Sequence, residues 1–279
     1  MEYMRPKFFI IGVNKCGTSS LYRYLIAHPN VLPCAEKEPN FFGQHNTEYI
    51  ASHIDEYFAL FPTNEYSGDL SFDWESADQA GTSPVTRVHV SRYPERDYIT
   101  GEASANTFHD VCPSLLYSYL PDVKLILLVR NPADRAYSHH RMYGRFRAGG
   151  NGFDVEVSDF ETDIQAELEA HARGEKTHYI APGIYIDKLR EWVSQYGHEQ
   201  IRVVVSEELA QPAKAKLIMR DLEGYLELPH NDYGNFLTHQ FNHAPMSELA
   251  PRLRSLLTDF YRTYNCSLQE YLGRELYWD

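Results

Sequence analysis

The chain has 279 residues, of which 43% are hydrophobic, and its 39 acidic and 26 basic residues give a formal net charge of −13. Apolar and aromatic residues at this level predict a folded globular protein and exclude a disordered chain. The negative charge argues against nucleic acid and against an anionic membrane as partners. We expect one domain over residues 1–279.

The first predicted strand is the apolar run at residues 7–11, which ends at Gly12. Such a run is typical of a strand buried on both faces of a parallel sheet. A glycine-bounded loop at 12–17 follows, and residues 18–26 have helical spacing. A strand, a loop and a helix N-terminus in this order form an arrangement that binds phosphate groups.

The rest of the chain alternates helices with strands. Alternation of this kind predicts an α/β protein, a P-loop-like three-layer fold with a central parallel sheet flanked by helices. Helices are predicted over residues 50–61, 132–143, 159–174, 185–196, 214–226, 247–264 and near 268, and strands over 97–102, 124–130 and 201–205.

Residues 62–96 are polar and show no clear period, so we expect a long excursion there, near the acceptor site. No apolar run reaches the roughly 18 residues of a membrane span. The dispersed cysteines have no metal or disulfide spacing, which favours free thiols and a cytoplasmic location. They are Cys16, Cys34, Cys112 and Cys266.

The loop and helix start read GVNKCGTSS, from Gly12 to Ser20. This segment departs from the nucleotidase P-loop, because Thr18 stands where that loop has lysine after its second glycine. The lysine lies earlier, at Lys15. The backbone N–H groups and the hydroxyl groups of the helix start still predict an anion site. The missing lysine and the lack of an acidic strand end argue against a P-loop kinase or NTPase, which is the alternative activity.

A second motif, LLVRNPADRAYS, occupies residues 127–138. A predicted strand delivers Arg130 at its carboxyl end, and Ser138 lies in the helix that follows. A guanidinium group and a hydroxyl group can therefore converge on one phosphate.

The two motifs together resemble the donor site of sulfotransferases that use 3′-phosphoadenosine 5′-phosphosulfate (PAPS), in particular the carbohydrate branch that includes heparan sulfate and chondroitin sulfotransferases. The resemblance covers most of the chain and is weakest over 62–96. It implies PAPS as the donor, 3′-phosphoadenosine 5′-phosphate (PAP) as the product, and no metal. The donor-binding residues that it implies are Lys15, Cys16, Gly17, Thr18, Ser19, Ser20, Arg130, Ser138 and Tyr185.

A candidate general base lies in the segment KEPNFF at residues 37–42. Pro39 predicts an extended backbone at Glu38, which would fix the direction of its carboxylate. The segment resembles KExHFF of heparan sulfate 3-O-type sulfotransferases, in which the glutamate is the base, so the resemblance implies Glu38 as general base and Lys15 as the group that stabilises the leaving phosphate. Asn40 stands where a histidine is common. A solvated charge cluster is the alternative interpretation.

A further departure lies in ITGEASANTF, residues 99–108. The family has a lysine after the glutamate that helps to bind the transferred group, and this chain has Ala103. Lys37, His109 or a residue of 62–96 could replace that lysine, and Ser104 could supply a hydroxyl group.

The expected activity is transfer of a sulfuryl group from PAPS to a hydroxyl, or to an amine, of an acceptor. The net charge of −13 favours a small molecule or a neutral glycan over a polyanion. The basic cluster outside the donor motifs is short: Arg141, Arg145 and Arg147. A non-catalytic nucleotide- or glycan-binding protein is a third interpretation, and a lumenal domain of a Golgi membrane protein is the alternative to the cytoplasm.

Overall fold

The computed structural model describes residues 2–63, 68–75, 85–92, 96–148, 158–238 and 248–278. Seven strands are present in this part of the chain: β1 (Phe8–Gly12), β2 (Val31–Pro33), β3 (Gly68–Glu75), β4 (Val85–Arg92), β5 (Ile99–Ala103), β6 (Lys124–Val129) and β7 (Ile201–Val205). The described helices are α1 (Thr18–Ile26), α2 (Phe41–Gln44), α3 (Thr47–Phe58), α4 (Thr107–Asp110), α5 (Pro113–Tyr119), α6 (Pro132–Ala148), α7 (Phe160–Ala172), α8 (Ile186–Tyr196), α9 (Ser206–Leu209), α10 (Pro212–Tyr225) and α11 (Pro251–Leu272).

Five strands form the central sheet, in the order β2-β5-β1-β6-β7, and every neighbouring pair is parallel. All residues of β1 are buried, and so are those of β6 from Leu125 to Val129. Burial of this extent needs helices on both faces of the sheet. The predicted fold class is confirmed: an α/β protein with a parallel sheet flanked by helices.

A second, smaller apolar cluster joins α6, α7 and α11. It contains Ala136, Ile164, Leu257 and Tyr261, each fully buried. Burying a large apolar side chain contributes about 1.5–3 kcal/mol. The cluster therefore holds α6, which begins just after Arg130, against the rest of the molecule.

The prediction that residues 62–96 lack a regular period is wrong. β3 and β4 pair antiparallel through this region, with Leu70 opposite Val90 and Phe72 opposite Val88. The apolar residues at 70, 72 and 74 alternate with polar ones, which is the period of a strand. The polar composition of the segment masked that period.

Two helix predictions also differ from the structure. α6 continues five residues beyond the predicted end at Tyr143, to Ala148. The predicted break before Leu268 is absent, because α11 runs unbroken to Leu272. Asn265, a weak helix former at this point, is buried, so packing overrides its propensity.

The carboxyl ends of β1, β5 and β6 lie at one edge of the sheet, because the strands are parallel. They lead into the loop at 13–17, the turn at 104–106 and Arg130. Ligands of open α/β sheets bind at this edge. Among the described helices, none is both long enough and apolar enough to cross a membrane.

Candidate active site

The loop after β1 ends in a helix start that is open to an anion. Gly17 precedes α1 with φ of 92°, a left-handed conformation that favours glycine, and no side chain caps the helix. The first N–H groups of a helix have no partner within the helix. Thr18 and Ser20 are buried beside them, and Ser19 is half-buried. These groups fit a phosphate or a phosphosulfate.

Lys15 and Arg130 meet although 115 residues separate them in sequence. Nη1 of Arg130 donates a hydrogen bond to the Lys15 carbonyl oxygen at 3.1 Å, and Nζ of Lys15 lies 3.5 Å from Sδ of Met142. Ser138 precedes Met142 by one turn of α6, so both lie on the same helix face. The structure thus brings Lys15, Arg130 and Ser138 to one side of the loop.

Cys16 and Tyr185 lie behind the loop. Tyr185 is 1% exposed, and its hydroxyl donates to the Arg130 carbonyl oxygen at 2.8 Å and lies 3.8 Å from the Cys16 thiol. Burial raises the pKa of Cys16 to about 11, so the thiol stays protonated. The two side chains support the loop and the end of β6 from inside the core.

The prediction of an extended backbone at Glu38 is wrong, because Glu38 has φ of 56°. The side-chain amide of Asn40 donates to the Glu38 carbonyl oxygen at 2.8 Å and closes the chain into a tight turn. Asn40 itself has φ of 49°. Local hydrogen bonding to Asn40 therefore overrides the preference that Pro39 imposes on its predecessor.

The Glu38 turn lies beside the phosphate loop, because both contact the residues after β5. The backbone N–H of Asn40 donates to Oγ of Ser104 at 3.0 Å, and Nδ2 of Asn14 donates to Oδ1 of Asn106 at 3.4 Å. Phe41 and Phe42 are buried against Tyr57, at centroid distances of 5.3 and 4.9 Å. The aromatic pair anchors the turn.

Lys37 and His109, two candidates for the role of the lysine that is missing at Ala103, differ in charge. Nζ of Lys37 lies 3.1 Å from Oε1 of Glu38, and its side chain is 16% exposed. Burial, helped by the charge of Arg135, lowers the pKa of His109 to about 3, and its Nε2 donates to the Pro182 carbonyl oxygen at 3.2 Å. His109 is neutral, whereas Lys37 places a positive charge at the candidate base.

The predicted lack of an acidic strand end is wrong, because Glu102 lies one residue before the end of β5. Glu102, near the end of β5, is 1% exposed, and it accepts hydrogen bonds from Tyr57 at 2.8 Å and from Ser104 at 2.5 Å. Burial raises its pKa to about 7. The sequence signal that could have identified Glu102 was a charged residue within a predicted strand of the central sheet. In the part of the chain that the structure describes, no three His, Cys, Asp or Glu side chains lie close enough to share a metal ion.

A parallel α/β sheet with an open anion loop after β1 and an arginine after β6 is typical of proteins that bind a phosphorylated ligand. The model of the sulfotransferase family matches residues 6–232. The chain therefore belongs to the sulfotransferase family, and it is an enzyme.

Individual relatives agree with this family. The chain is 24% identical to carbohydrate sulfotransferase 15 of Rattus norvegicus, over 98% of this chain and 54% of the relative. It is 25% identical to the bifunctional heparan sulfate N-deacetylase/N-sulfotransferase 3 of Homo sapiens, over 96% of this chain and 30% of the relative. The chain thus spans about half, or less, of the length of these curated relatives. The predicted resemblance to the carbohydrate branch is confirmed.

The solved structures include a sulfotransferase from Alicyclobacillus acidocaldarius. The alignment has a TM-score of 0.66 and 26% identity, and it covers 98% of this chain and 97% of the other. The likeness extends over both chains almost entirely, so it supports the fold class as well as the family.

Proposed function

We propose that the enzyme transfers a sulfuryl group from PAPS to a hydroxyl of a glycan. The observation that carries this proposal is the contact between the two donor motifs, in which the Arg130 guanidinium bonds the Lys15 carbonyl oxygen at 3.1 Å. A donor with one phosphate on the 3′ oxygen and another on the 5′ oxygen of its ribose needs two cationic sites at a fixed separation. The loop and the end of β6 supply them.

In this proposal the loop holds the 5′-phosphosulfate. Lys15 binds near the bridging oxygen, and the backbone of Gly17 and the hydroxyls of the helix start bind the phosphate. Arg130 and Ser138 bind the 3′-phosphate. Cys16 and Tyr185 act by holding the loop and the Arg130 backbone in place, since both side chains are buried.

The reaction is an in-line displacement at sulfur. The acceptor oxygen forms a bond to sulfur while the bond from sulfur to the bridging oxygen breaks, and that electron pair leaves with PAP. Glu38 takes the acceptor proton, and Lys15 stabilises the negative charge that develops on the leaving phosphate.

We further propose that Lys37 supplies the charge that the family's lysine at position 103 would supply. Its ammonium group lies at the Glu38 carboxylate and could contact the sulfuryl oxygens when the acceptor enters. Lys37→Met should then lower kcat and leave the dissociation constant of PAP unchanged. Full activity in this variant would remove Lys37 from the mechanism.

The names of the relatives support a glycan acceptor, since they include a carbohydrate sulfotransferase and a heparan sulfate N-sulfotransferase. The second of these names makes an amine the alternative acceptor group. The net charge of −13 favours a glycan of low charge. Of the predicted basic cluster, the side chains of Arg145 and Arg147 lie outside the described residues.

We propose a reducing compartment, the cytoplasm, for this enzyme. All four cysteines are free thiols, and Cys16 and Cys34 are buried within the core. Structural disulfides are common in oxidising compartments and rare in the cytoplasm. A lumenal location remains the alternative, and fractionation of the native host would separate the two.

The test is transfer of label from radiolabelled PAPS to a panel of neutral oligosaccharides, amino sugars and sulfated polysaccharides. The proposal predicts a labelled glycan with wild-type protein and about 10²-fold less with Glu38→Gln. Equal labelling by both proteins would remove Glu38 as the base. If no acceptor is labelled and the protein transfers phosphate from ATP in the presence of magnesium, the activity is that of a kinase and the proposal fails.

A further inference from the structure

A buried carboxylate beside the site has no role in the reaction described above. Glu102 is 1% exposed, and both of its oxygens accept hydrogen bonds, from Tyr57 on α3 and from Ser104. None of the ion pairs among the described residues includes Glu102. A buried charge without a cationic partner is costly, so its retention calls for a reason.

The hydrogen bonds lead from this carboxylate to the candidate base. Ser104 donates to Oε2 of Glu102, and its own Oγ accepts the backbone N–H of Asn40 at 3.0 Å. The Asn40 side chain then bonds the Glu38 carbonyl oxygen at 2.8 Å. Three hydrogen bonds therefore connect Glu102 to the backbone of Glu38.

This connection holds a backbone that would otherwise relax. Glu38 and Asn40 both have left-handed φ values, of 56° and 49°. Such conformations cost about 1–3 kcal/mol each and persist only where the surroundings hold them. We propose that Glu102 is a positioning residue: through the hydroxyl of Ser104 it fixes the backbone of Asn40, and thereby the direction of the Glu38 carboxylate. This inference rests on the proposed role of Glu38 as the base.

The proposal requires the ionised form of Glu102. When the proton is on Oε2, the carboxyl presents a hydrogen to a Ser104 oxygen that already accepts the Asn40 N–H, and the Ser104 hydrogen then loses its acceptor. Because burial raises the pKa of Glu102 to about 7, this change of protonation falls within the pH range of an activity assay. Activity should therefore be lost as the pH falls through the pKa of Glu102.

The other titratable groups that interact with Glu102 are Glu38, Tyr57, Cys34 and Tyr22. Burial raises the pKa of Tyr57, Cys34 and Tyr22, so these groups stay neutral near pH 7. Glu38 is present in both wild type and a Glu102 variant, so the ratio of their rates isolates Glu102.

The experiment compares wild type with Glu102→Gln at about pH 8 and about pH 6, since a group with a pKa near 7 is then about one-tenth and nine-tenths protonated. The amide of the substituted side chain can place a donor where Ser104 needs an acceptor. We expect kcat at the higher pH to fall about 10–100-fold, as for a misplaced catalytic group, with the PAP dissociation constant unchanged. At the lower pH the wild-type rate should approach that of the variant.

Two further variants keep the test decisive if Glu102→Gln fails to fold. Ser104→Ala removes the same link and should lower kcat in the same way. Thr100→Val is the control, because Thr100 is a buried hydroxyl of the same strand that bonds the Leu32 carbonyl oxygen at 2.8 Å, away from the Glu38 turn. It should lower the melting temperature without lowering kcat.

A kcat for Glu102→Gln and Ser104→Ala within about twofold of wild type, or a rate ratio independent of pH, would overturn the proposal. So would a parallel loss of PAP binding, because a structural role alone would produce it. Hydrogen exchange of the Asn40 amide gives a readout that needs no turnover, and exchange should accelerate in both variants. If wild type does not bind PAP, the proposed function fails, while unchanged Asn40 exchange would overturn the positioning role separately.

Discussion

Among single residues, positive φ values outside glycine concentrate at the candidate site. Five non-glycine residues in the described part of the chain have positive φ, and three of them are Lys15, Glu38 and Asn40. A non-glycine residue in this conformation costs about 1–3 kcal/mol, and the conformation persists only where the surroundings hold it. Both candidate catalytic residues thus sit on backbone that the fold holds in an unfavourable conformation.

Lys15→Ala should lower kcat about 10²–10³-fold, because it removes the cation placed to neutralise the leaving phosphate. The measurement is the rate of PAP formation at saturating PAPS and acceptor. Lys216→Ala, an exposed lysine on α10, is the matched control and should keep the wild-type rate. A Lys15 variant as fast as the Lys216 variant would show that the loop serves another purpose.

Glu38→Gln should lose turnover while its affinity for PAP stays near that of wild type, because a base acts on the acceptor and contributes little to donor binding. Steady-state rates and calorimetric titration with PAP measure the two quantities. Glu36→Gln changes an exposed carboxylate two residues before Glu38 and should have little effect on either. Equal losses of rate and of PAP affinity in Glu38→Gln would instead indicate a structural role.

At the scale of elements, the donor site depends on the turn between β6 and α6. Oδ1 of Asn131 caps α6 by accepting the Ala133 N–H at 3.0 Å, and its Nδ2 donates to the Trp278 carbonyl oxygen at 3.3 Å. Its backbone N–H bonds Glu207 at 2.8 Å. Because Asn131 directly follows Arg130, these bonds fix the position of the Arg130 backbone, from which the guanidinium group extends.

Asn131→Ala should lower the free energy of unfolding by about 0.5–2 kcal/mol, the usual cost of a lost helix cap, and it should also weaken PAP binding. Asn46→Ala is the control, since Asn46 caps α3 through a 2.9 Å bond to the Tyr49 N–H, outside the donor motifs. Chemical denaturation and PAP titration measure both effects. The interpretation fails if the two variants lose equal stability and Asn131→Ala keeps full PAP affinity.

Continuous apolar runs explain why β1, β6 and β7 could be predicted, since a strand buried on both faces needs no partner to be recognised. The pair β3–β4 was missed although its apolar residues alternate with polar ones, because the polar composition of residues 62–96 favoured a loop. The proposed donor residues Lys15, Arg130 and Ser138 were predicted from two motifs and the family they resemble, and the structure brings them to one side of the loop after β1. The conformation of Glu38 could not be predicted, because it depends on Asn40 and on Ser104, which is 64 residues from Asn40 in sequence.

At the scale of the whole molecule, charge constrains the acceptor. A chain with a net charge of −13 repels a polyanion unless a basic surface overrides the field. We therefore expect weak turnover on heparin or chondroitin sulfate and better turnover on a neutral glycan. Competition between the sulfated chains and the neutral glycan, at low and at high salt, measures this preference. Tight binding of sulfated chains that weakens steeply with salt, with turnover on them, would contradict the expectation.

The donor is identified by calorimetric titration of the wild-type protein with PAP and, separately, with ATP and magnesium. PAP should bind at least about 10²-fold more tightly, because in the proposed site Arg130 and Ser138 bond a 3′-phosphate that ATP lacks. Arg130→Ala should remove most of that preference. Binding of ATP and magnesium as tight as that of PAP, or a preference for PAP that survives Arg130→Ala, would contradict the account.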